Sequence, residues 1–548
     1  MNMVKKIYGP KFQLRNGFTS FFTACLTILL AWQPSLYAQN ESMQFVIPET
    51  ETYRTPISSA VIGDVNHDGI KEIFANSHDG KLYGIDTMGN PLPGFPVDLT
   101  ALVHAVGGDI YDKHANIPAL ADLNGDGIQE ILATIRYDYD NQFRNYKVRL
   151  FAIQANGAVH DAWPIDGVEL HHIIGGGVFP SSYNQITAAD LDQDGQDEVM
   201  VTGGSSTGLQ VLKGDGTAFN QFFPMPNIAG GSPAAVGDID QDGKLEIVAG
   251  DIADGFIGFQ EEAEVHVINP EDGTEVPGWP VAIPTSNFLA PTVSVGDVNG
   301  DGSLDVVAAV GTVYPSTPPN YETLAVYAAD GSPLAGWPLV RQNNNDSYYF
   351  SGIALADLDL DRKLEVISIF REVVYVNQFD GSDFPGWPRV FDDRNGEVNN
   401  QDRNVTVSDI DNDGYPDIVY LSNLGLLTAV DRFGNPLPGM PYDFGFVDPE
   451  ISRDYTIATP VISDVGKDGD VNLIVTSFYR SDPNNKHAQI NVFDFFEGTD
   501  GNIKASKDWL QFHRDNRHTG LYPQKRPLLI STSAGAKTPI AICRPGEC

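Results

Sequence analysis

A nine-residue phrase crowded with oxygen-bearing side chains recurs eight times along the chain. Its first copy is Asp64-Val65-Asn66-His67-Asp68-Gly69-Ile70-Lys71-Glu72. An acid stands at position 1, Asp or Asn at 3, an acid at 5, glycine at 6 and an acid at 9. The candidate ligands are Asp64, Asn66, Asp68 and Glu72 in the first copy and Asp122, Asn124, Asp126 and Glu130 in the second. The third and fourth copies give Asp190, Asp192, Asp194 and Glu198, then Asp238, Asp240, Asp242 and Glu246. The fifth and sixth give Asp297, Asn299, Asp301 and Asp305, then Asp357, Asp359, Asp361 and Glu365. The seventh gives Asp409, Asp411, Asp413 and Asp417. The eighth is eroded: Gly466 stands at position 3 and Asn472 at position 9, leaving Asp464 and Asp468.

Calcium is a hard cation that takes six to eight oxygens in a flexible cage, whereas magnesium demands near-octahedral geometry and keeps its waters. Acids at positions 1, 3 and 5 converge if the chain turns sharply at position 6, where glycine tolerates the left-handed backbone. Position 7 can offer its carbonyl and position 9 a further carboxylate. An EF-hand loop has the same first half but places its last acid at position 12. An acid at position 9 with strands on either side predicts a calcium-clamped β-hairpin. Asp, Asn and Gly also favour metal-free turns, but seven intact copies point to about seven structural Ca2+ sites. The sixth copy has Arg362 in the glycine position, and the eighth is expected to be weak or empty.

The leading aspartates are 58, 68, 48, 59, 60, 52 and 55 residues apart. Each unit reads as an apolar strand, the acidic loop, a β-branched strand, a third strand, a Gly-containing turn and an ending such as Pro277-Gly278-Trp279-Pro280. Short strands at even spacing indicate an all-β fold. A four-stranded unit repeated around a ring is the pattern of a β-propeller blade. The expected fold is a single β-propeller of four-stranded blades, eight in number with seven as the alternative; an open solenoid is the competing architecture. Trp163, Trp279, Trp337 and Trp387 recur with the repeat and are expected to pack between blades.

The phrase Gly-Asp-x-Asn/Asp-x-Asp-Gly-x-x-Asp/Glu, followed by an apolar strand, resembles the FG-GAP/VCBS repeat. That repeat builds the propeller of integrin α chains and of many secreted bacterial proteins, and the resemblance spans residues 45–522. It implies an integrin-like calcium-binding propeller. Trp509 through Gly520 resembles, more loosely, the closing segment of such proteins.

The N-terminus carries Lys5, Lys6, Lys11 and Arg15, then an apolar run from Phe18 to Trp32 and Ala38. This reads as a secretory signal over 1–38, followed by a propeller over 39–522 and a tail over 523–548. The chain is expected to be exported, whether secreted, periplasmic or held at the cell surface, with no transmembrane segment in its mature form. Cys25 lies inside the apolar run, and Cys543 and Cys548 fall in the tail.

The 548 residues hold 73 acids against 34 Lys and Arg, a formal charge of −39. Such a surface repels a nucleic-acid backbone, so no nucleic-acid partner is expected. The seven intact motifs account for 25 of the 73 acids, and the eroded copy for 2 more.

No nucleophile elbow, zinc-protease motif, P-loop or dinucleotide fingerprint occurs. Alternating strands put the acidic loops on one face of a propeller and the longer connections on the other. Those connections carry His104, Tyr111, His114, Arg136, Tyr137, Arg144, His171, His172, Tyr183, Arg341, Tyr348, Tyr349, Arg394, Arg403, Arg453, Tyr455, Arg480 and His487. Two functions follow. One is a binding or adhesion module for a protein or glycan ligand on the face opposite the calcium loops. The other is a polysaccharide lyase on the same scaffold, using a Tyr or His base and an Arg or Lys to neutralise a uronate.

Overall fold

The computed structural model divides into two units, Met1–Ala38 and Gln39–Cys548. It describes residues 40–48, 57–77, 79–104, 113–138, 146–173, 185–203, 208–226, 228, 232–252, 263–283, 291–311, 320–343, 352–370, 373–390, 405–421, 426–443, 459–466, 471–482, 485–495, 515 and 517–522. The expected signal segment 1–38, the expected tail 523–548 with its cysteines, Trp509 and many of the connection residues named above lie outside these.

Eight antiparallel sheets form the ring. Blade 1 begins with Val61–Gly63 and Glu72–Ser77, and blade 4 runs Ala235–Gly237, Glu246–Ile252, Ala263–Ile268 and Val281–Ile283. In every blade the acidic loop connects the first strand to the second. The residue closing the loop pairs with the last residue of the first strand, as in Gly63 opposite Glu72 and Gly237 opposite Glu246. Blade 3 has three continuous strands, and its fourth edge is reduced to a bridge between Leu209 and Met225. First strands of successive blades touch one another, which places them innermost.

Ring closure comes from the N-terminal strand Asn40–Pro48. It pairs antiparallel with Asn485–Phe495 and becomes the outermost strand of blade 8, with Ile47 opposite Ala488 and Phe45 opposite Ile490. Strands contributed from the two ends of the chain give a closed ring, which removes the open sheet edges of a solenoid. Blade 8 also meets blade 1 directly: the Thr459 N–H donates to Ser59 Oγ at 2.7 Å, and the Lys71 N–H to the Val465 carbonyl at 3.2 Å.

The core lies between the faces of neighbouring blades. Phe74 and Phe95 of blade 1, with ring centres 5.6 Å apart, pack with Leu120, Ile131 and Phe151 of blade 2. Ile62 and Ile73 pack with Ile474 and Ile490 of blade 8. Alternation along each strand supplies apolar side chains to both faces. The four recurring tryptophans are buried, as expected. Each indole N–H donates to a carbonyl of the next blade: Trp163 to Gly214, Trp279 to Ala329, Trp337 to Phe379 and Trp387 to Arg432, at 2.7–2.9 Å. Truncating such a residue costs about 3–5 kcal/mol. The preceding glycine has its own reason. At Gly336 φ is +93° and a Cβ would stand 1.8 Å from the Asp380 carbonyl oxygen, so the two blades approach backbone to backbone there.

A second tie comes from the C-terminal side. Residues 517–522 run along the innermost strands of three consecutive blades. The N–H groups of Ala188, Val236 and Val295 donate to the carbonyls of Arg517, Thr519 and Gly520 at 2.8–3.0 Å. His518 is fully buried, its Nδ1 2.9 Å from the Ile186 carbonyl. These inner edges are therefore capped by the chain itself. No helix among the described residues is long and apolar enough to cross a membrane.

Candidate metal centres

The acidic loops share one hydrogen-bond plan. Position 9 accepts the backbone N–H of position 2 in every copy: Val65 to Glu72, Leu123 to Glu130, Leu191 to Glu198 and Ile239 to Glu246. The same bond joins Val298 to Asp305, Leu358 to Glu365 and Ile410 to Asp417. In the eroded eighth copy Asn472 Oδ1 takes the same bond from the Val465 N–H at 2.9 Å, in place of the acid.

Position 1 accepts the N–H of position 6, as in Gly69 to Asp64 at 2.9 Å and Gly302 to Asp297 at 2.9 Å. Position 3 accepts from position 5, as in Asp126 to Asn124 and Asp242 to Asp240. Position 5 accepts from position 7, as in Gln196 to Asp194 and Lys363 to Asp361. In several loops the leading aspartate uses only one of its two oxygens in this plan, as Asp297 uses Oδ2 for Gly302.

That second oxygen is the test of whether a cation fits. Oδ1 of Asp190, Asp297, Asp357 and Asp409, all at position 1, is buried with no hydrogen-bond partner. A buried carboxylate oxygen left without a partner is costly, and a hard cation would satisfy it. Three carboxylates converge to within 4.8 Å in four loops: Asp190, Asp192 and Asp194; Asp238, Asp240 and Glu246; Asp357, Asp359 and Asp361; Asp409, Asp411 and Asp417. Where position 3 is Asn the charge is lower and the amide bonds inside the loop, Asn66 to Glu72 at 2.7 Å and Asn299 to Asp301 at 3.0 Å.

The electrostatics agree. Burial raises the position-9 acids, and the neighbouring loop aspartates raise them further against the pull of the position-2 N–H. Glu72, Glu130, Glu246 and Asp305 are pushed up to about 7. Glu198, Glu365 and Asp417 are pushed up to about 8. The clusters repel themselves without a counter-charge.

Glycine at position 6 is explained by conformation rather than by space. Gly195, Gly243, Gly302 and Gly414 have φ between +91° and +95°, and a Cβ there would meet nothing within 4 Å. Arg362 adopts the same region at +76°, so the sixth loop keeps its shape in a conformation disfavoured for a side chain.

A regularity at position 4 went unread in the sequence. It too is left-handed, in His67, Gln193, Gln241, Leu360 and Asn412 as well as in Gly125 and Gly300. From there the side chain reaches the glycine carbonyl at position 6 of the next blade: His67 Nε2 lies 2.7 Å from Gly127 O, and Gln193 Nε2 donates to Gly243 O at 2.6 Å. Glycines at 125 and 300 were the only local hint.

The connection residues fare differently. Tyr137 is buried, with its hydroxyl 3.3 Å from Arg149 Nε. Arg341 lies over the Tyr375 ring and donates to Asn377 Oδ1 at 2.6 Å, which makes it a packing residue between blades 5 and 6. Arg136 lies on the second strand of blade 2, opposite His114 and Val148. His104 closes a short helix, Leu99–His104. His171 and His172 lie on strand Val168–Ile173, just past a bulge. Arg480 and His487 lie on the long paired strands of blade 8. Tyr111, Arg144, Tyr183, Tyr348, Tyr349, Arg394, Arg403, Arg453 and Tyr455 lie outside the described residues.

Residues 122–201 and 190–249 match the FG-GAP-like repeat model. Those residues carry FG-GAP-like repeats, and the chain folds as an eight-bladed propeller. A search of curated proteins by sequence finds no match. Solved structures with a similar fold include the V. cholerae biofilm matrix protein Bap1, at 14% identity over 88% of this chain and 92% of that one, with a TM-score of 0.38. Rhamnogalacturonan lyase YesW is 13% identical over 80% of this chain and 73% of that one, with a TM-score of 0.31. An Agrocybe aegerita lectin that recognises non-reducing terminal N-acetylglucosamine is 17% identical over 70% of this chain and 93% of that one, with a TM-score of 0.34. None of these likenesses bears on what this chain binds.

Proposed function

We propose that the chain is an exported, calcium-stabilised binding propeller. Its 1–38 segment is a signal removed after Ala38, residues 39–522 form the propeller and 523–548 a tail. Seven loops hold Ca2+ through the residues at positions 1, 3, 5 and 9, and the eighth is weak or empty. The observation that carries this is the partnerless Oδ1 of the leading aspartate, repeated in four loops that share one hydrogen-bond plan. Calcium there is structural: it neutralises each cluster and fixes the hairpin that joins a blade's two innermost strands.

A protein or glycan ligand is assigned to the face opposite these loops. Support comes from the contrast between the two faces. The calcium face is built from short loops of constant length. The other carries connections of variable length, rich in Tyr, Arg, His and Asn, and function on a rigid scaffold concentrates in such connections. Calcium-loaded protein should be screened against glycan and extracellular-protein panels, with a variant whose 139–145 and 391–404 segments are replaced by Gly-Ser linkers. Saturable binding that the variant loses supports the assignment. Binding retained in full by the variant moves the site elsewhere, and ultraviolet absorbance from unsaturated uronate ends in the same panels would make the protein a lyase instead.

A further inference from the structure

The first strand of every blade presents one backbone donor at the same place. It is the N–H of the residue two before the leading aspartate: Ala188, Val236 and Val295 in blades 3 to 5, Leu355, Val407 and Ile462 in blades 6 to 8, and Ile62 and Leu120 in blades 1 and 2. In all eight blades that residue pairs with the one just after position 9, as Ala188 with Val199 and Leu355 with Val366. One register means one direction for the N–H, because residues of an antiparallel ladder alternate between bonding within the pair and facing away from it. The bonds from Ala188, Val236 and Val295 to the carbonyls of Arg517, Thr519 and Gly520 show that this N–H faces away from the sheet, into the ring.

The other five of these N–H groups, on Ile62, Leu120, Leu355, Val407 and Ile462, have no acceptor among the described residues. Each of the five residues is at most 5% exposed. A buried N–H without an acceptor is costly. The five stand in consecutive blades, 6, 7, 8, 1 and 2, and so form one arc. That arc begins where the filled part ends. Tyr522 donates its N–H to the Val295 carbonyl at 2.7 Å and packs against the core that holds Leu355 and Leu364.

The filled part shows the chemistry that suits the rest. One extended segment serves three blades through its main-chain carbonyls, while His518 is buried and Leu521 packs against the core of blades 4 and 5. Strand addition of this kind needs an acceptor at each edge and asks little of the sequence. Charge narrows the choice. Each donor lies two residues from a leading aspartate, Arg517 pairs with Asp197 at 3.1 Å, and the chain carries a formal charge of −39. An acidic segment is therefore repelled. We propose that the inner edges of blades 6, 7, 8, 1 and 2 bind an extended, basic peptide segment of a partner protein, along the track that residues 517–522 begin. This site borders the acidic loops and is separate from the ligand assigned to the opposite face.

The probe is a fluorescent, photoreactive peptide with the sequence of residues 517–526, which carries Arg517, Lys525 and Arg526, added to the full chain in excess Ca2+. One equivalent should bind and cross-link to Ile353–Ala356, Thr406–Ser408 or Val461–Ser463. A peptide with those three basic residues changed to Glu should bind at least about tenfold more weakly. Residue-resolved hydrogen exchange reads the donors themselves. The amides of Leu355, Val407 and Ile462 should exchange faster than those of Val236 and Val295 in the free protein, and the peptide should slow them. Absence of binding would overturn the proposal. So would cross-links confined to blades 3 to 5, which would mean exchange with the chain's own segment. Equal protection of all eight amides in the free protein would also overturn it, because the chain itself would then already cover them.

Discussion

Gln193 of blade 3 donates its side-chain amide to the Gly243 carbonyl of blade 4 at 2.6 Å, and so ties one acidic loop to the turn of the next. His67 and Gln241 make the corresponding contacts to Gly127 and Gly302. These contacts link loop 1 to loop 2, loop 3 to loop 4 and loop 4 to loop 5, so a cation that ordered one of these loops would also fix the carbonyl its neighbour grips. Gln193→Ala should lower the melting temperature more in calcium than in metal-free buffer. Equal losses in both would mean the bond is only local packing.

The position-9 acid has two separable jobs: it accepts the position-2 N–H and it faces the cation. Glu365→Gln keeps the Leu358 bond, as Asn472 keeps the one from Val465 in blade 8. Metal-free stability should then hold or rise, because the cost of protonating the buried carboxyl is gone, while the calcium-induced gain shrinks by about 1–3 kcal/mol. Glu365→Ala should lower both. Differential scanning calorimetry with and without calcium separates the outcomes.

Stability should depend on pH in opposite senses in the two forms. The position-9 carboxyls sit at about 7 to 8 in the fold, against ordinary values of 4.5 for Glu and 3.8 for Asp. Below the ordinary values the groups are protonated in both folded and unfolded chains and contribute nothing. Through the window up to about 8 the unfolded chain ionises first, so the metal-free fold loses stability as pH rises. Calcium needs the ionised groups, so its contribution grows over the same window. The gap between calcium-loaded and metal-stripped melting temperatures should widen from pH 5.5 to pH 8. A constant gap would contradict the assignment of these acids as ligands.

Much of the fold could be read from the chain because it is local and repeated. The loop, its flanking strands and the Trp of each ending recur within one blade, so eight copies of one pattern imply the ring. What could not be read depends on contacts between blades or between chain ends. The left-handed position 4 is masked by His67, Gln193 and Gln241, whose residue types suggest only a solvated loop. Gly336 is needed because the Asp380 carbonyl of the next blade stands against it. Asn40–Pro48 pairs with a strand more than 400 residues away, and residues 517–522 bond to three different inner strands. No periodicity within a segment reports such partners.

Two further substitutions test a strained loop position and the ring closure. Arg362→Gly should stabilise the protein by about 1 kcal/mol, because it relieves a left-handed residue with a side chain. Ile47→Asp places a charge at a fully buried site on the closing strand. It should cost several kcal/mol and expose the edge of Asn485–Phe495 to self-association. Calorimetry and size-exclusion chromatography read the two effects.

If calcium fills the acidic loops, it should also hold the ring together. Equilibrium dialysis of the metal-stripped chain against calcium, paired with thermal melts, measures this directly. Near seven equivalents should bind, and each site filled to a hundredfold excess over its Kd should add about 2.7 kcal/mol, so the melting temperature climbs with calcium concentration. Fewer than two equivalents bound, or a melting temperature unmoved by calcium and by its removal, would contradict the account.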